Sequence, residues 1–331
     1  MDIAQKAREL KEKLVERRRD FHKHPEPGWT EFRTASKAIE IMQGLGYEIT
    51  MGEKAVKKDS MMGVPSAEKL KKEQERAIAQ GDNPDIVNKM AGGFTGFWAD
   101  MKFSDDGPRI ALRVDMDCVD TSESKEEDHR PFREGFASVN PGAMHACGHD
   151  GHTTMGLGIA EVIAGMKDKL KGSVRFIFQP AEEGLRGARP MVDAGAVDGV
   201  NYILGMHLGF YDCGGVSCGG EGFLASTKSN ITFKGVSSHA GNSPQMGKNA
   251  LMAACCAAMN LFASSRHGDG ATRINVGKVI AGEGRNVIGP NGYLEIETRG
   301  ATTALKDYMD TEVARIIKAA ADMYDCSYSV E

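Results

Sequence analysis

The chain has 331 residues, with 41 basic against 46 acidic side chains and a net charge of −5, and is long enough for two domains with separate cores. Charges of both signs are interspersed and form no basic stripe, so neither nucleic acid nor a membrane surface is expected as a partner. Its seven cysteines are an odd number, with Cys255 and Cys256 adjacent; they read as thiols in a reducing cytoplasm, with Cys118, Cys213, Cys218, Cys255, Cys256 and Cys326 structural.

The N-terminal stretch up to Phe21 reads as one charged amphipathic helix with Ile3, Ala7, Leu10 and Leu14 on one face, not as a signal peptide. Lys54 to Asn88 is Lys/Glu-rich, with KLKKEQERAIAQ as a helical centre. It is expected to be a surface insertion between Tyr47 and a strand near Phe97, solvated on its own or forming one wall of a pocket. Arg109 to Asp117 (RIALRVDMD) is an apolar run ending in Asp115 and Asp117, and predicts a buried strand. Met144 to His152 (MHACGHDGH) follows, at the junction of a loop with a helix over Thr153 to Leu170. Gly172 to Pro180 (GSVRFIFQP) predicts a second buried strand that runs into the pair Glu182 and Glu183. A short helix over Gly187 to Ala194 precedes a third strand, Asn201 to Gly209 (NYILGMHLG), which carries His207.

Strands alternating with helices predict an α/β domain with a mostly parallel sheet, whose ligands lie beyond the carboxyl ends of its strands. Asp117, Cys147, His149, Glu182, Glu183 and His207 all fall on that edge. A glycine-rich hinge, Cys213 to Gly222, separates this part from a different pattern. Beyond it come strand (Ser226 to Lys234), helix (Lys248 to Ser264), strands (Arg273 to Ala281 and Gly292 to Arg299), helix (Ala304 to Met323) and strand (Cys326 to Glu331). The order β-α-β-β-α-β predicts a ferredoxin-like α+β domain. The expected division is residues 1–220, with the insertion at about 54–90, and residues 221–331 as a lid and dimerisation domain. The longest apolar run, Ala250 to Ala263, is too short to span a bilayer and reads as a core helix.

Chemistry concentrates in Met144 to His152, where Cys147, His149 and His152 stand beside Asp150 in a chain with nine histidines. Four donors in so short a stretch are hard to explain as packing. A lone histidine after a strand is more often a hydrogen-bonded core residue, and paired glutamates are usually surface charge. Glu182 and Glu183, however, follow a buried strand and precede a glycine turn, so they have no helix face to decorate. Closed structural zinc sites use four Cys or His ligands at short spacings such as CxxC, which do not occur here. A mixed thiolate, imidazole and carboxylate set suits an open catalytic centre.

In order along the chain, RRDFHKHPEPGWTEFRTA, RVDMD, MHACGHDGH, FQPAEEG, GMHLG, SSHAG and GRNVI resemble the M20 family of metal-dependent amidohydrolases and exopeptidases. The branch resembled is the one with Cys in place of a bridging aspartate, and the match runs from about Arg18 to Met323. The resemblance implies a centre of two divalent ions, Mn2+ or Zn2+, held by Cys147, His149, Glu183 and His207. It implies Glu182 as general base and Asp117 as the residue that orients a ligand. His239 of SSHAG is implied to reach an active site across a dimer interface and polarise the scissile carbonyl, and Asn286 and Arg299 to hold the substrate's carboxylate. The implied reaction is cleavage of an N-acyl or aminobenzoyl amino acid, p-aminobenzoyl-glutamate above all, giving p-aminobenzoate and glutamate in folate catabolism. The implied partners are a second copy of the chain, or a homologous B subunit, bound through the lid. The family closes its metal site with a further histidine on a segment returning to the catalytic domain, whereas residues 300–331 contain none. The returning part is therefore expected to be missing, and a truncated, non-catalytic subunit that binds ligand or supports an active partner is the competing expectation.

Overall fold

The computed structural model describes residues 2–209, 212–219 and 222–331, and these fall into two compact units, Met1–Gly215 and Val216–Glu331. Part of the expected hinge, including the boundary between residues 220 and 221, lies outside the described residues.

The first unit is built on β1 (Glu48–Met51), β2 (Phe97–Lys102), β3 (Arg109–Asp115), β4 (Ser173–Gln179) and β5 (Tyr202–Gly205), in the order β1-β2-β4-β3-β5. The sheet is mixed: β3 runs parallel to β4 and β5, while β2 is antiparallel to both β1 and β4. The parallel share is thus smaller than the strand–helix alternation predicts. Only residues 103–108 join β2 to β3, and a parallel return needs a crossover of a dozen residues or more. The chain must therefore reverse direction.

Along β4 every residue from Val174 to Gln179 is buried, which is why its sequence is apolar on both faces except for Arg175 and Gln179 and does not alternate. Phe178 stacks on Phe97 of β2 with centroids 4.4 Å apart. Arg175, the one cation in the strand, donates to both carboxylate oxygens of Asp100 at 2.8 and 2.9 Å and to the carbonyls of Gly195 and Ala196. Its charge is buried but fully partnered, as burial requires.

The N-terminal helix is two pieces, α1 (Ile3–Glu9) and α2 (Lys11–Lys23), separated at Leu10; α3 (Phe32–Gly44) follows. The insertion forms α4 (Ala67–Ala79) and α5 (Pro84–Lys89), and it is not a solvated decoration. Leu70, Ala77, Ile86 and Val87 are buried, and Arg76 reaches the fully buried Glu26 at 3.0 Å. Beyond α6 (Arg130–Arg133), helix α7 (His149–Ala164) starts four residues earlier than predicted, so the ligand-bearing motif forms its first turn. α8 (Ala188–Asp193) completes the unit. Phe32, Ile39, Met42, Leu157 and Phe176 meet in its main core.

The second unit contains β6 (Ala225–Lys234), β7 (Ser238–His239), α9 (Ala250–Ala263), β8 (Thr272–Ala281), β9 (Val287–Ile288), β10 (Asn291–Gly300), α10 (Thr303–Met323) and β11 (Ser327–Val330). Its antiparallel sheet has the order β11-β6-β10-β8, the ferredoxin-like arrangement, with a small β7–β9 ribbon beside it. Alternate residues of β10, Leu294, Ile296 and Thr298, are buried. Ile231, Phe233, Leu261, Met309 and Ile317 complete this core. Among the described residues no helix is long and apolar enough to cross a membrane.

Candidate metal centre

The three parallel strands β4, β3 and β5 end side by side, and the loops that leave them carry the donors. Gly148 has φ of 89° and directly precedes His149 at the start of α7. That left-handed conformation favours glycine and lets the loop turn sharply into the helix. The His149 Nδ1–H donates to the main-chain oxygen of Asp117 at 2.8 Å, so that in the neutral ring Nε2 is the nitrogen whose lone pair faces the cluster. Nε2 is buried without a hydrogen-bond partner and stands 3.8 Å from Glu182 Oε2. Cys147 Sγ lies 3.4 Å from His207 Nε2.

Among the described residues three donor groups result, Cys147 with His149 and His207, His149 with Glu182 and Glu183, and the fully buried Asp115 with His149 and His152. They share His149, and within each the donor atoms lie within 4.8 Å of one another.

Asp117 organises both sides of this cluster. Its buried carboxylate accepts the backbone N–H of Glu182 at 2.9 Å and that of Glu183 at 3.0 Å, and Oδ1 lies 3.3 Å from His149 Nδ1. One side chain thus fixes the glutamate turn and the imidazole together. The turn is strained at Ala181, where φ is 45°, and is held by Glu31, which accepts the Ala181 N–H at 2.8 Å and the Thr95 hydroxyl at 2.6 Å. Burial and the neighbouring Asp117 push the Glu31 carboxyl up to about 8. The turn closes where Gly187 N–H donates to Ala181 O at 2.9 Å; a Cβ on Gly187 would sit 1.6 Å from the Pro180 carbonyl oxygen. Gly187→Ala is expected to destabilise the unit by about 1–3 kcal/mol through overpacking and to lower metal content. Denaturant midpoints and elemental analysis of the purified variant check both effects.

Asp150 and His152 of the motif are used elsewhere. His152 Nδ1–H donates to Asp115 Oδ1 at 2.6 Å, and its Nε2 accepts the Leu208 N–H at 2.8 Å, so it pins the backbone next to His207. Asp150 turns to α2, where Arg18 Nε and His22 Nδ1 each approach it at 2.8 Å. Asp115, Glu31 and His22 went unassigned in the sequence. Their partners are distant along the chain, and only the buried charge at a strand end pointed to Asp115.

The electrostatics of the cluster favour a cation. Burial, then Glu183 and Glu182, push the Cys147 thiol up to about 12. Burial alone would lower His149, but Asp117, Asp115 and Glu182 outweigh it and raise the imidazole to about 9. Burial also raises the Glu182 carboxyl. Glu183 Oε1, like His149 Nε2, is buried without a partner. A crowd of anionic or anion-forming donors with orphaned lone pairs fits divalent metal, which deprotonates a coordinating thiol and satisfies those atoms at once.

The remaining predicted residues belong to the second unit. His239 and Asn286 come together at the β7–β9 ribbon, where His239 pairs with Val287 and the Ala240 N–H donates to Asn286 O at 2.9 Å. His239 Nδ1 accepts the N–H groups of Gly241 and Asn242, each at 3.1 Å. Arg299 is exposed on β10 and pairs with Glu297 at 2.9 Å.

The sequence profile of Peptidase family M20/M25/M40 matches residues 111–328. The chain is 48% identical, over 97% of its length and 74% of the relative's, to indole-3-acetyl-aspartic acid hydrolase of Enterobacter agglomerans. It is 46% identical, over 95% of its length and 72% of the relative's, to one of the subunits of p-aminobenzoyl-glutamate hydrolase from Escherichia coli strain K12. An aminobenzoyl-glutamate utilization protein from Klebsiella pneumoniae superposes with a TM-score of 0.83 at 40% identity, covering 100% of this chain and 77% of that one. The Bacillus subtilis YXEP protein, a dinuclear metal binding peptidase, superposes with a TM-score of 0.62 at 27% identity, covering 98% and 74%.

Proposed function

We propose, for a chain that belongs to peptidase family M20/M25/M40 and is a metal-dependent amidohydrolase, that it cleaves the amide joining an aromatic acyl group to an acidic amino acid, with p-aminobenzoyl-glutamate as substrate. The observation that carries this reading is the chemistry shared by two relatives of almost half-identical sequence. Both are named for conjugates of an aromatic acid with aspartate or glutamate. A site that recognises such conjugates must hold a carboxylate, and a guanidinium does so in a bidentate fork; Arg299, with Asn286 beside it in this role, is assigned that contact.

Cys147, His149, Glu183 and His207 are the residues we assign to hold two divalent ions, Mn2+ or Zn2+. When bound, such ions polarise the scissile carbonyl and make a water acidic enough to be deprotonated at neutral pH. Glu182 takes that proton and delivers it to the leaving amine, a role that a carboxylate raised by burial performs well. Glu183 is assigned as the ligand and its neighbour as the base, two side chains that leave the same turn from successive residues. Asp117 keeps both in place through their backbone N–H groups. His239 donates to the developing oxyanion.

The second unit is assigned the pairing of subunits, with a second copy or a homologous B subunit, in the cytoplasm. Sedimentation of the purified chain is expected to show a species of twice its 35.7 kDa mass at micromolar concentration; monomer alone would remove self-pairing. The test of function is the release of p-aminobenzoate and glutamate by protein loaded with Mn2+ or Zn2+, with indole-3-acetyl-aspartate as competitor substrate. Turnover of the aminobenzoyl conjugate supports the assignment. Metal binding without hydrolysis of either conjugate would favour a non-catalytic subunit instead.

A further inference from the structure

We propose that His22 is a positioning residue for the Cys147 side of the metal centre, a buried imidazolium that locks the loop bearing Cys147 to the first turn of α7. The inference rests on the metal-centre reading above.

His22 lies on α2 and is 2% exposed. Its Nδ1 is 2.8 Å from Asp150 Oδ2 and its Nε2 is 3.0 Å from Glu123 Oε1. A neutral imidazole has one ring proton, and carboxylates only accept, so a ring with a carboxylate oxygen on each nitrogen donates twice and carries a positive charge. The surroundings agree. Arg18 Nε also approaches Asp150 Oδ2 at 2.8 Å, and His129 Nε2 approaches Glu123 Oε1 at 2.8 Å. Glu123 also accepts the Ser138 N–H, and its carboxyl is held below its usual range despite burial.

The two carboxylates belong to different parts of the site. Asp150 immediately follows His149 in α7. Glu123 belongs to the long excursion after β3, whose base is closed by reciprocal Val119 and Met144 backbone bonds of 3.1 Å. Asp117 leads into that excursion and Cys147 leaves it. The loop is laid along α2 by further contacts, Val139 N–H to Lys23 O at 2.9 Å, Asn140 to Pro25 O at 2.9 Å, and Phe136 edge-on to His22 at 5.6 Å.

Between Cys147 and His149 stands only Gly148, a residue with no side chain to stiffen the link. The position of the thiol relative to the imidazole therefore depends on where the loop is tethered, and His22 touches loop and helix at once through hydrogen bonds to both, while Arg18 adds an ion pair to Asp150 and a looser contact, 5.9 Å to the Phe136 ring. Residues that orient metal ligands from outside the ligand set typically change affinity by 10- to 100-fold when lost.

The test is a Co2+ titration of the full chain, following the thiolate-to-cobalt charge-transfer absorption that reports the Cys147 bond. His22→Gln is expected to weaken Co2+ binding about tenfold and reduce that band. Adding Glu123→Gln to His22→Gln cuts a tether that is already broken, so the double variant should be little weaker than His22→Gln alone, a coupling that a double-mutant cycle isolates. Losses that simply add would mean packing, not a charge clamp, and would overturn the proposal; so would an unchanged band in His22→Gln. If His22→Gln fails to fold, Glu123→Gln alone leaves α2 intact and must still shift the band, and indifference there overturns the proposal equally. A wild-type protein with no thiolate band would instead overturn the metal-centre reading itself.

Discussion

Replacing Glu182 by glutamine is expected to lower turnover about 10²- to 10⁴-fold while leaving metal content unchanged, the loss typical of a removed general base. The amide keeps an oxygen and almost the same shape, and the donors Cys147, His149, Glu183 and His207 all remain. The backbone N–H groups of residues 182 and 183 still reach Asp117, so the turn should hold its form. What disappears is the ability to take a proton from water. Steady-state rates at saturating metal, together with elemental analysis, separate the two effects. A near-normal rate would transfer the base role to another group.

Replacing Cys147 by alanine is expected to act in the opposite order, on metal first and on rate as a consequence. Cys147 is grouped with His149 and His207 and not with the glutamates, so its loss should empty one position much more than the other. Metal content should fall toward one ion per chain, with turnover reduced to a small fraction. Glu182→Gln and Cys147→Ala thus make a contrasting pair: a fully loaded protein that cannot move a proton, and a half-loaded one whose base is intact. Unchanged metal content in Cys147→Ala would reduce this cysteine to a packing residue.

Of the strands that feed the site, β4 could be read in the sequence because burial on both faces writes a nearly continuous apolar run, Val174 to Phe178 with Arg175 as the exception, whereas β5, expected to be buried on the same pattern, exposes Tyr202, Ile203 and Leu204. The ferredoxin-like pattern of the second unit was equally legible, since β10 alternates buried and half-buried residues and α9 is apolar along its length. Strand direction was hidden in a detail, the six-residue link from β2 to β3. The insertion misled for a different reason. Its charges are conspicuous, but Leu70, Ala77, Ile86 and Val87 make a sparse inward stripe, and the Arg76–Glu26 pair joins residues far apart in the chain.

Within the metal motif the decisive unknown was where the helix begins. Once α7 starts at His149, residues 149, 150 and 152 project in different directions, because each step turns the helix by about 100°. His149 then faces the donors, Asp150 faces α2, and His152 faces Asp115 and Leu208. No spacing rule distinguishes these three before the start of the helix is known. Glu31, Asp115 and His22 were out of reach altogether, since each acts through partners brought close only by the fold.

The central claim is that two divalent ions are held by donors converging on His149. Crystals of the protein grown with Mn2+ or Zn2+, measured at the absorption edge of that metal, test it most directly. The account predicts two anomalous peaks, one among Cys147, His149 and His207 and one beside the Glu183 carboxylate and the same cluster, with Glu182 outside the coordination of both. Anomalous peaks elsewhere, or none in a protein that still hydrolyses p-aminobenzoyl-glutamate, would contradict it.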